Sequence, residues 1–135
     1  LVAKVKVPTA DENKGLGTGE FDEGVVAELY RWLDPRFFGF IDVGYRFIGD
    51  PPGFDYKDQA VCDVGVSYVG QPLWSQTVFY DYASKAVSGG EAIRAIAYAI
   101  AYKPVPDCKL YGIVEKGLSD GAADYTLTAG MAHYF

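Results

Sequence analysis

Residues 60–82 of the chain read AVCDVGVSYVGQPLWSQTVFYDY. From Ala60 to Tyr68 every second side chain is apolar, and most of the residues between them are small or polar. Nearly the same alternation returns from Trp74 to Tyr82, after the turn-forming residues Gly70, Gln71 and Pro72. A period of two on both sides of a turn cluster predicts two antiparallel strands joined as a hairpin.

The alternation recurs along the whole chain and predicts eight strands. We therefore expect one all-β domain over residues 1–135, an antiparallel up-and-down β-barrel in which each strand pairs with its neighbours in sequence. The predicted strands cover residues 1–7, 25–33, 41–47, 60–68, 74–82, 95–102, 108–115 and 125–135. The faces of 108–115 alternate too poorly to be assigned from the sequence.

One predicted strand competes with a helix. Residues 91–102 are rich in Ala, which is the strongest helix former. However, the large residues from Ile96 to Tyr102 fall at every second position, which on a helix would scatter them around the axis. The spacing favours a strand.

The connections between the predicted strands differ in length at the two ends of the sheet. Residues 34–36, 70–72 and 104–107 are short connections, whereas the alternate connections, 9–19, 49–58, 84–90 and 117–123, are longer and polar. Transmembrane barrels have short turns at one rim and long loops at the other.

Aromatic residues are numerous and gather near the ends of the predicted strands. The chain has 11 Tyr, 8 Phe and 2 Trp. Two aromatic girdles around a band of aliphatic residues are typical of a barrel that crosses a membrane. By the short turns we place Trp32, Tyr68, Trp74, Tyr102 and Phe135, and by the long loops Phe21, Tyr45, Phe47, Tyr80, Tyr82 and Tyr125.

Composition limits the partners. A net charge of −6 argues against binding to nucleic acid or to anionic lipid head groups. No apolar run approaches the roughly 20 residues of a membrane helix. Leu1 leads directly into patterned sequence, so we expect either a cleaved signal peptide or a chain that starts within a longer protein.

Five stretches of the sequence carry a further resemblance: KVKVPTAD at 4–11, GLGTG at 15–19, GYRFIGDPPG at 44–53, KGLSDG at 116–121 and the terminal Tyr134-Phe135. Together they resemble the bacterial outer-membrane transporter barrels associated with the meta pathway of phenol degradation. The resemblance implies a location in the bacterial outer membrane and transport of small solutes, apolar or aromatic ones among them. Such barrels usually have about twelve strands, so the resemblance implies that this chain is either the last eight strands of such a barrel or a natural short relative.

The candidate functional residues are charged and lie on the polar side of the alternation. We expect them to line the barrel interior: Lys4, Lys6, Glu28, Asp42, Arg46, Asp63 and Asp81. They could line a water-filled passage and set its selectivity, or form a plug of salt bridges that closes a narrow interior. Because Asp63 is on the strand next to that of Arg46, we predict that these two residues pair.

No catalytic, cofactor or metal site is expected. His133 is the only histidine, and its neighbours on the same predicted face, Met131 and Phe135, supply neither a nucleophile nor an acid. Cys62 and Cys108 fall near opposite rims, too far apart for a disulfide.

The sequence thus predicts a non-enzymatic outer-membrane barrel, in contact with the lipid bilayer, that passes or binds small solutes. Formation of a homo-oligomer stays open. The alternatives are a structural or interaction barrel with a plugged interior, and a soluble ligand-binding barrel, which would reverse every face assigned above.

Overall fold

The structure is a computed structural model that describes residues 2–6, 22–49 and 56–134. Within residues 2–6 only the side chain of Ala3 is described. Eight strands follow one another along the chain, and each pairs antiparallel with its neighbour in sequence, in the order β1 to β8. They are β1 (Val2–Lys6), β2 (Asp22–Asp34), β3 (Phe37–Ile48), β4 (Gln59–Tyr68), β5 (Trp74–Ala83), β6 (Ile93–Val105), β7 (Cys108–Gly117) and β8 (Tyr125–His133).

This architecture confirms the predicted all-β, antiparallel up-and-down topology. The sheet is not closed into a barrel, however, because β1 and β8 make no contact with each other within the described residues. The two strands are therefore the edges of an open sheet. Closure would need hydrogen bonding between these two edges.

Strand β6 confirms the strand prediction for the Ala-rich segment. Ala95 and Ala97 are buried between Asp81 and Phe79 of β5 on one side and Gly117 and Glu115 of β7 on the other. Pairing on both edges satisfies the backbone along the segment and outweighs the intrinsic preference of Ala for helix.

The short connections are built by turn-forming residues. Between β2 and β3, Pro35 fixes its backbone angle, and the amide of Arg36 donates a hydrogen bond of 3.0 Å to Asp34 Oδ1. The amide of Val69 then donates to the carbonyl of Arg36 at 2.8 Å and ties the end of β4 to this turn. As far as the structure describes them, the short and long connections alternate as predicted.

Burial in this sheet is the reverse of that in a typical soluble protein, in which large apolar side chains are covered. The most covered side chains are small or polar; they include Gln59, Ser67 and Ala97, which are 2%, 4% and 2% exposed. Large apolar side chains lie exposed on the opposite face, including Val78 at 50% and Leu127 at 83%. We call the covered face, which carries Asp42, Asp63 and Asp81, the polar face, and the other the apolar face.

Candidate functional site: the polar face of the sheet

Four predicted site residues come together in a single row across the polar face. In the strand register Glu28 of β2 lies opposite Asp42 of β3, Asp42 opposite Asp63 of β4, and Asp63 opposite Asp81 of β5. Directly opposed residues in antiparallel strands have Cα atoms about 4.5–5.5 Å apart. We call these four residues the acidic row.

Beyond Asp81 the same row continues with two small residues. Asp81 lies opposite Ala95 of β6, and Ala95 lies opposite Gly117 of β7. Carboxylates placed directly opposite each other are destabilising unless other groups offset their repulsion. Asp42 and Asp63 both take part in further interactions within the chain.

Arg46 does not have the partner that the sequence suggested. The register of the β3–β4 hairpin places Arg46 opposite Gln59, while Asp63 is four residues further along β4, or about 13 Å at 3.3 Å per residue. Arg46 Nη1 donates a hydrogen bond of 3.3 Å to Gln59 Oε1. The prediction that Arg46 pairs with Asp63 is therefore wrong, because the sequence alone does not determine the register between β3 and β4.

Gln59 links Arg46 to the loop beyond β5. Its Nε2 donates a hydrogen bond of 2.6 Å to the carbonyl oxygen of Ser84, and the Ser84 hydroxyl accepts one of 3.0 Å from the amide of Ala60. The buried Gln59 side chain thus has partners at both ends. This network holds Arg46 in place four residues along β3 from Asp42, toward the long-loop rim. We call this part of the polar face, which carries Arg46, the cationic end.

The two predicted lysines belong to β1. The backbone of Lys4 lies opposite Gly24, and that of Lys6 lies opposite Asp22. Since Gly24 is also opposite Arg46, Lys4 occupies the same row as Arg46. The side chains of Lys4 and Lys6 lie outside the described residues.

Aromatic residues form the part of the polar face that sequence reasoning missed. Below the acidic row, Tyr30 of β2 lies opposite Phe40 of β3, and Trp32 lies opposite Phe38. The ring centroids of Trp32 and Phe38 are 5.5 Å apart, in an edge-to-face arrangement. Trp32 is at the predicted rim, but it lies on the acidic side of the sheet rather than in a girdle on the apolar face. The sequence did contain a signal for this placement. Phe38 and Phe40 are an even number of residues from Asp42, so all three lie on the same face of a strand.

Two cavities open on this face. The larger, about 470 Å³, is lined by Asp42, Asp63 and Asp81 together with Arg46. The smaller, about 300 Å³, lies between β2 and β3, where carboxylates and aromatic rings meet. Its lining includes Glu28, Tyr30, Trp32, Phe38, Phe40 and Asp42.

No protein-family model, curated protein or solved structure matches this chain. Among the described ranges, no three or more His, Cys, Asp or Glu residues are arranged to hold a metal ion. The same part of the chain has no helix with the length and apolar character needed to cross a membrane.

The cysteines lie as far apart as predicted. Cys62 and Cys108 are both free thiols. Cys62 is level with Arg94 at the start of β6, whereas Cys108 is opposite Val105 at the other end of that strand. Eleven residues of strand separate these levels, about 36 Å, which is far beyond the reach of a disulfide.

Proposed function

We propose that this chain forms a transmembrane β-barrel of the bacterial outer membrane, or a large part of one, that passes or binds small solutes along its polar face. The observation that carries the proposal is the inverted burial of the sheet. Small and polar residues are covered on one face, and large apolar residues are exposed on the other. Lipid is the solvent that suits such an apolar face.

Exposing the apolar face to water would be energetically unfavourable. Burying a side chain such as Val or Leu is worth about 1.5–3 kcal/mol relative to leaving it exposed. Rows of such residues cross the sheet, one of them from Val66 through Val78, Tyr98 and Val114 to Leu127. An exposed apolar surface of this extent marks a site of contact with a membrane or with another protein.

Pairs of aromatic side chains lie at both ends of this face, which favours lipid over a protein partner. At the short-turn rim the ring centroids of Phe37 and Tyr68 are 5.0 Å apart, and those of Trp74 and Tyr102 are 4.4 Å apart. At the long-loop rim Tyr45 packs on Phe47 at 5.1 Å. From Phe37 to Tyr45 inclusive β3 has nine residues, which matches the roughly 9–11 residues of a tilted transmembrane strand.

The cations of the apolar face are compatible with a membrane. Arg94 and Lys116 lie within two residues of strand ends at the long-loop rim, and Arg31 lies three residues from the end of β2. Long cationic side chains at such positions can extend their charged ends to the membrane surface. Lys116 Nζ also lies 4.4 Å from the ring centroid of Tyr125, in cation–π contact.

The acidic row bears on the choice between a passage or binding surface and a plug of salt bridges. The register sets Asp42 opposite Asp63 and Asp63 opposite Asp81, so the row contains no cross-strand ion pair between its own members, while Asp42 and Asp63 have further interactions within the chain. When the sheet closes, by pairing of its own edges or with further strands, the row would line the interior. We expect conductance in planar bilayers to favour cations over anions. A chain that inserts but shows no conductance would support the plugged or purely binding alternative.

The two tryptophans allow a direct test of the membrane proposal. Trp74 lies on the apolar face and Trp32 on the polar face, both near the short-turn rim, so they form a matched pair of fluorescent reporters. Trp32→Phe and Trp74→Phe each leave one of them. The variants are folded into vesicles whose lipids are brominated near the head-group end of the acyl chain.

We expect brominated lipid to quench Trp74 strongly and Trp32 weakly, and aqueous acrylamide to do the reverse. Equal quenching of both residues by brominated lipid would contradict the assignment of the faces. Failure of brominated lipid to quench either residue would overturn the membrane proposal and favour a soluble barrel.

A further inference from the structure

We propose that the apolar face binds one phospholipid molecule at Arg31, with the lipid phosphate on the guanidinium and an acyl chain in a depression over Gly39. This inference rests on the proposed function, because it assigns a specific lipid contact to the face that we place against the membrane. The depression is a cavity of about 340 Å³ between β2, β3 and β4. Its lining on the apolar face includes Leu29, Arg31, Gly39, Ile41 and Val64.

Gly39 makes the depression because it has no side chain between two larger neighbours. The strand register places it opposite Arg31 of β2 on one side and opposite Val66 of β4 on the other. The next row toward the middle of the sheet carries Leu29 and Ile41 on the same face, and these side chains are 64% and 46% exposed. An acyl chain that lies over Gly39 would cover this apolar surface.

Arg31 supplies a cationic group at the depth of a lipid phosphate. Its partner Gly39 is two residues along β3 from Phe37, a separation of about 7 Å. Phe37 packs on Tyr68 at the short-turn rim, where aromatic rings mark the head-group level. A long cationic side chain can span that distance to the membrane surface. From the rim inward the face therefore carries aromatic rings, a cation and then aliphatic side chains, which parallels the order of head group, phosphate and acyl chain.

Arg31 has no anionic partner within the described part of the chain. Asp34, at the turn end of the same strand, pairs with Arg36 at 3.7 Å. No hydrogen bond or ion pair joins the side chain of Arg31 to another described residue. A charged group beside lipid is costly without a counter-ion, and a phosphate can accept two parallel hydrogen bonds from a guanidinium.

The net charge of the chain makes a local site necessary for any preference of this kind. A net charge of −6 opposes general attraction of anionic lipid. Selective binding of an anionic phospholipid would therefore have to come from the geometry around Arg31 and Gly39.

The two parts of the ligand can be tested separately by native mass spectrometry of the full-length chain in nonionic detergent. The probes are phosphatidylglycerol, diacylglycerol with the same acyl chains, and inorganic phosphate, which carry both parts of the ligand, the chains alone and the anion alone. We expect a saturable one-to-one adduct with phosphatidylglycerol, at an affinity about fivefold above that for diacylglycerol, as for a strong exposed ion pair. Inorganic phosphate should form no saturable adduct over the same concentration range.

Substitutions test the two parts of the site. Arg31→Gln should lower the affinity for phosphatidylglycerol to that for diacylglycerol. Gly39→Val should weaken binding of both lipids, because the new side chain occupies the depression. A Cβ atom on Gly39 would meet Leu33 Cδ1 at 3.5 Å and the carbonyl oxygen of Gly65 at 3.8 Å, which are ordinary contacts that the strand can accept. The matched control is Arg36→Gln, which removes the same charge from the turn of the same hairpin and should bind like its parent.

Equal affinities for phosphatidylglycerol and diacylglycerol in the parent chain would overturn the inference. So would equal effects of Arg31→Gln and Arg36→Gln, or binding of inorganic phosphate as tight as that of phosphatidylglycerol, which would indicate a site for the free anion. The bromolipid experiment on Trp32 and Trp74 reports the membrane proposal independently. Strong quenching of Trp74 without a selective phospholipid adduct would refute this site and leave the proposed function standing.

Discussion

Gly65 is a position at which a single added carbon should disturb the polar face. It lies on β4 between Phe40 of β3 and Phe79 of β5, whose ring centroids are 6.3 Å apart. A Cβ atom on Gly65 would lie 2.6 Å from Phe79 Cβ, 2.6 Å from the carbonyl oxygen of Val78 and 2.7 Å from Phe40 Cζ. The Phe40 ring can rotate away, but the other two atoms can move only with the β5 backbone.

Gly65→Ala should therefore lower the free energy of unfolding by about 1–3 kcal/mol, the usual cost of overpacking. The matched control is Gly112→Ala, also within a strand. There the added Cβ would meet only the Thr128 carbonyl oxygen, at 3.8 Å, an ordinary van der Waals contact. We expect this control to stay within about 0.5 kcal/mol of the parent.

The assay is urea unfolding of the chain folded into lipid vesicles, followed by Trp fluorescence. With a slope of ~2 kcal/mol per molar urea, a loss of ~2 kcal/mol shifts the midpoint by ~1 M. Equal midpoints for Gly65→Ala and Gly112→Ala would refute the reasoning. They would mean that Phe40 and Phe79 do not converge over Gly65.

Three further predictions address the apolar face, a cross-strand contact and the cationic end. Val78→Lys should lower the free energy of unfolding by about 2–4 kcal/mol if the apolar face meets lipid. If this half-exposed position meets water, the change should stay within about 0.5 kcal/mol. Urea midpoints measured in vesicles distinguish the two outcomes. Ser67 and Thr77 share a hydrogen bond of 2.8 Å, so a double-mutant cycle of Ser67→Ala and Thr77→Ala should give a coupling of about 0.5–1.5 kcal/mol, and additive effects would contradict that bond. Arg46→Ala should increase cation selectivity in planar bilayers while Arg36→Ala in the exposed β2–β3 turn does not; unchanged selectivity in Arg46→Ala would place that residue off the solute path.

The period of two was sufficient to predict the strands and to separate the two faces of most of them, with residues 108–115 unassigned and Trp32 misplaced. In β3 and β4, Val43, Tyr45, Val64 and Val66 lie on one face and Asp42 lies on the other, as the alternation predicted. The signal survived even in the Ala-rich segment, because spacing of large residues reports geometry whereas composition reports only propensity. That the apolar face meets lipid stays a prediction.

Register could not be predicted from the sequence in the same way. It depends on the conformation of the connecting loops and on the pairing of whole strands. The loop between β3 and β4 allows several registers, and shifting one strand by two residues keeps every face correct while changing every partner. This is why the faces of Asp42, Asp63 and Arg46 were predicted correctly and the pairing of Arg46 was not.

The acidic row is the consequence of register with most bearing on function. At a separation of about 5 Å, two carboxylates repel by about 0.8 kcal/mol in water and by about 3 kcal/mol at an effective dielectric constant of 20. With three neighbouring pairs from Glu28 to Asp81, the total is about 2.5 kcal/mol in water and about 10 kcal/mol in a confined interior. The second value is comparable to the whole stability of a typical domain. Asp42 and Asp63 also take part in interactions within the chain, so these sums give the repulsion that those interactions and the surrounding water together have to offset.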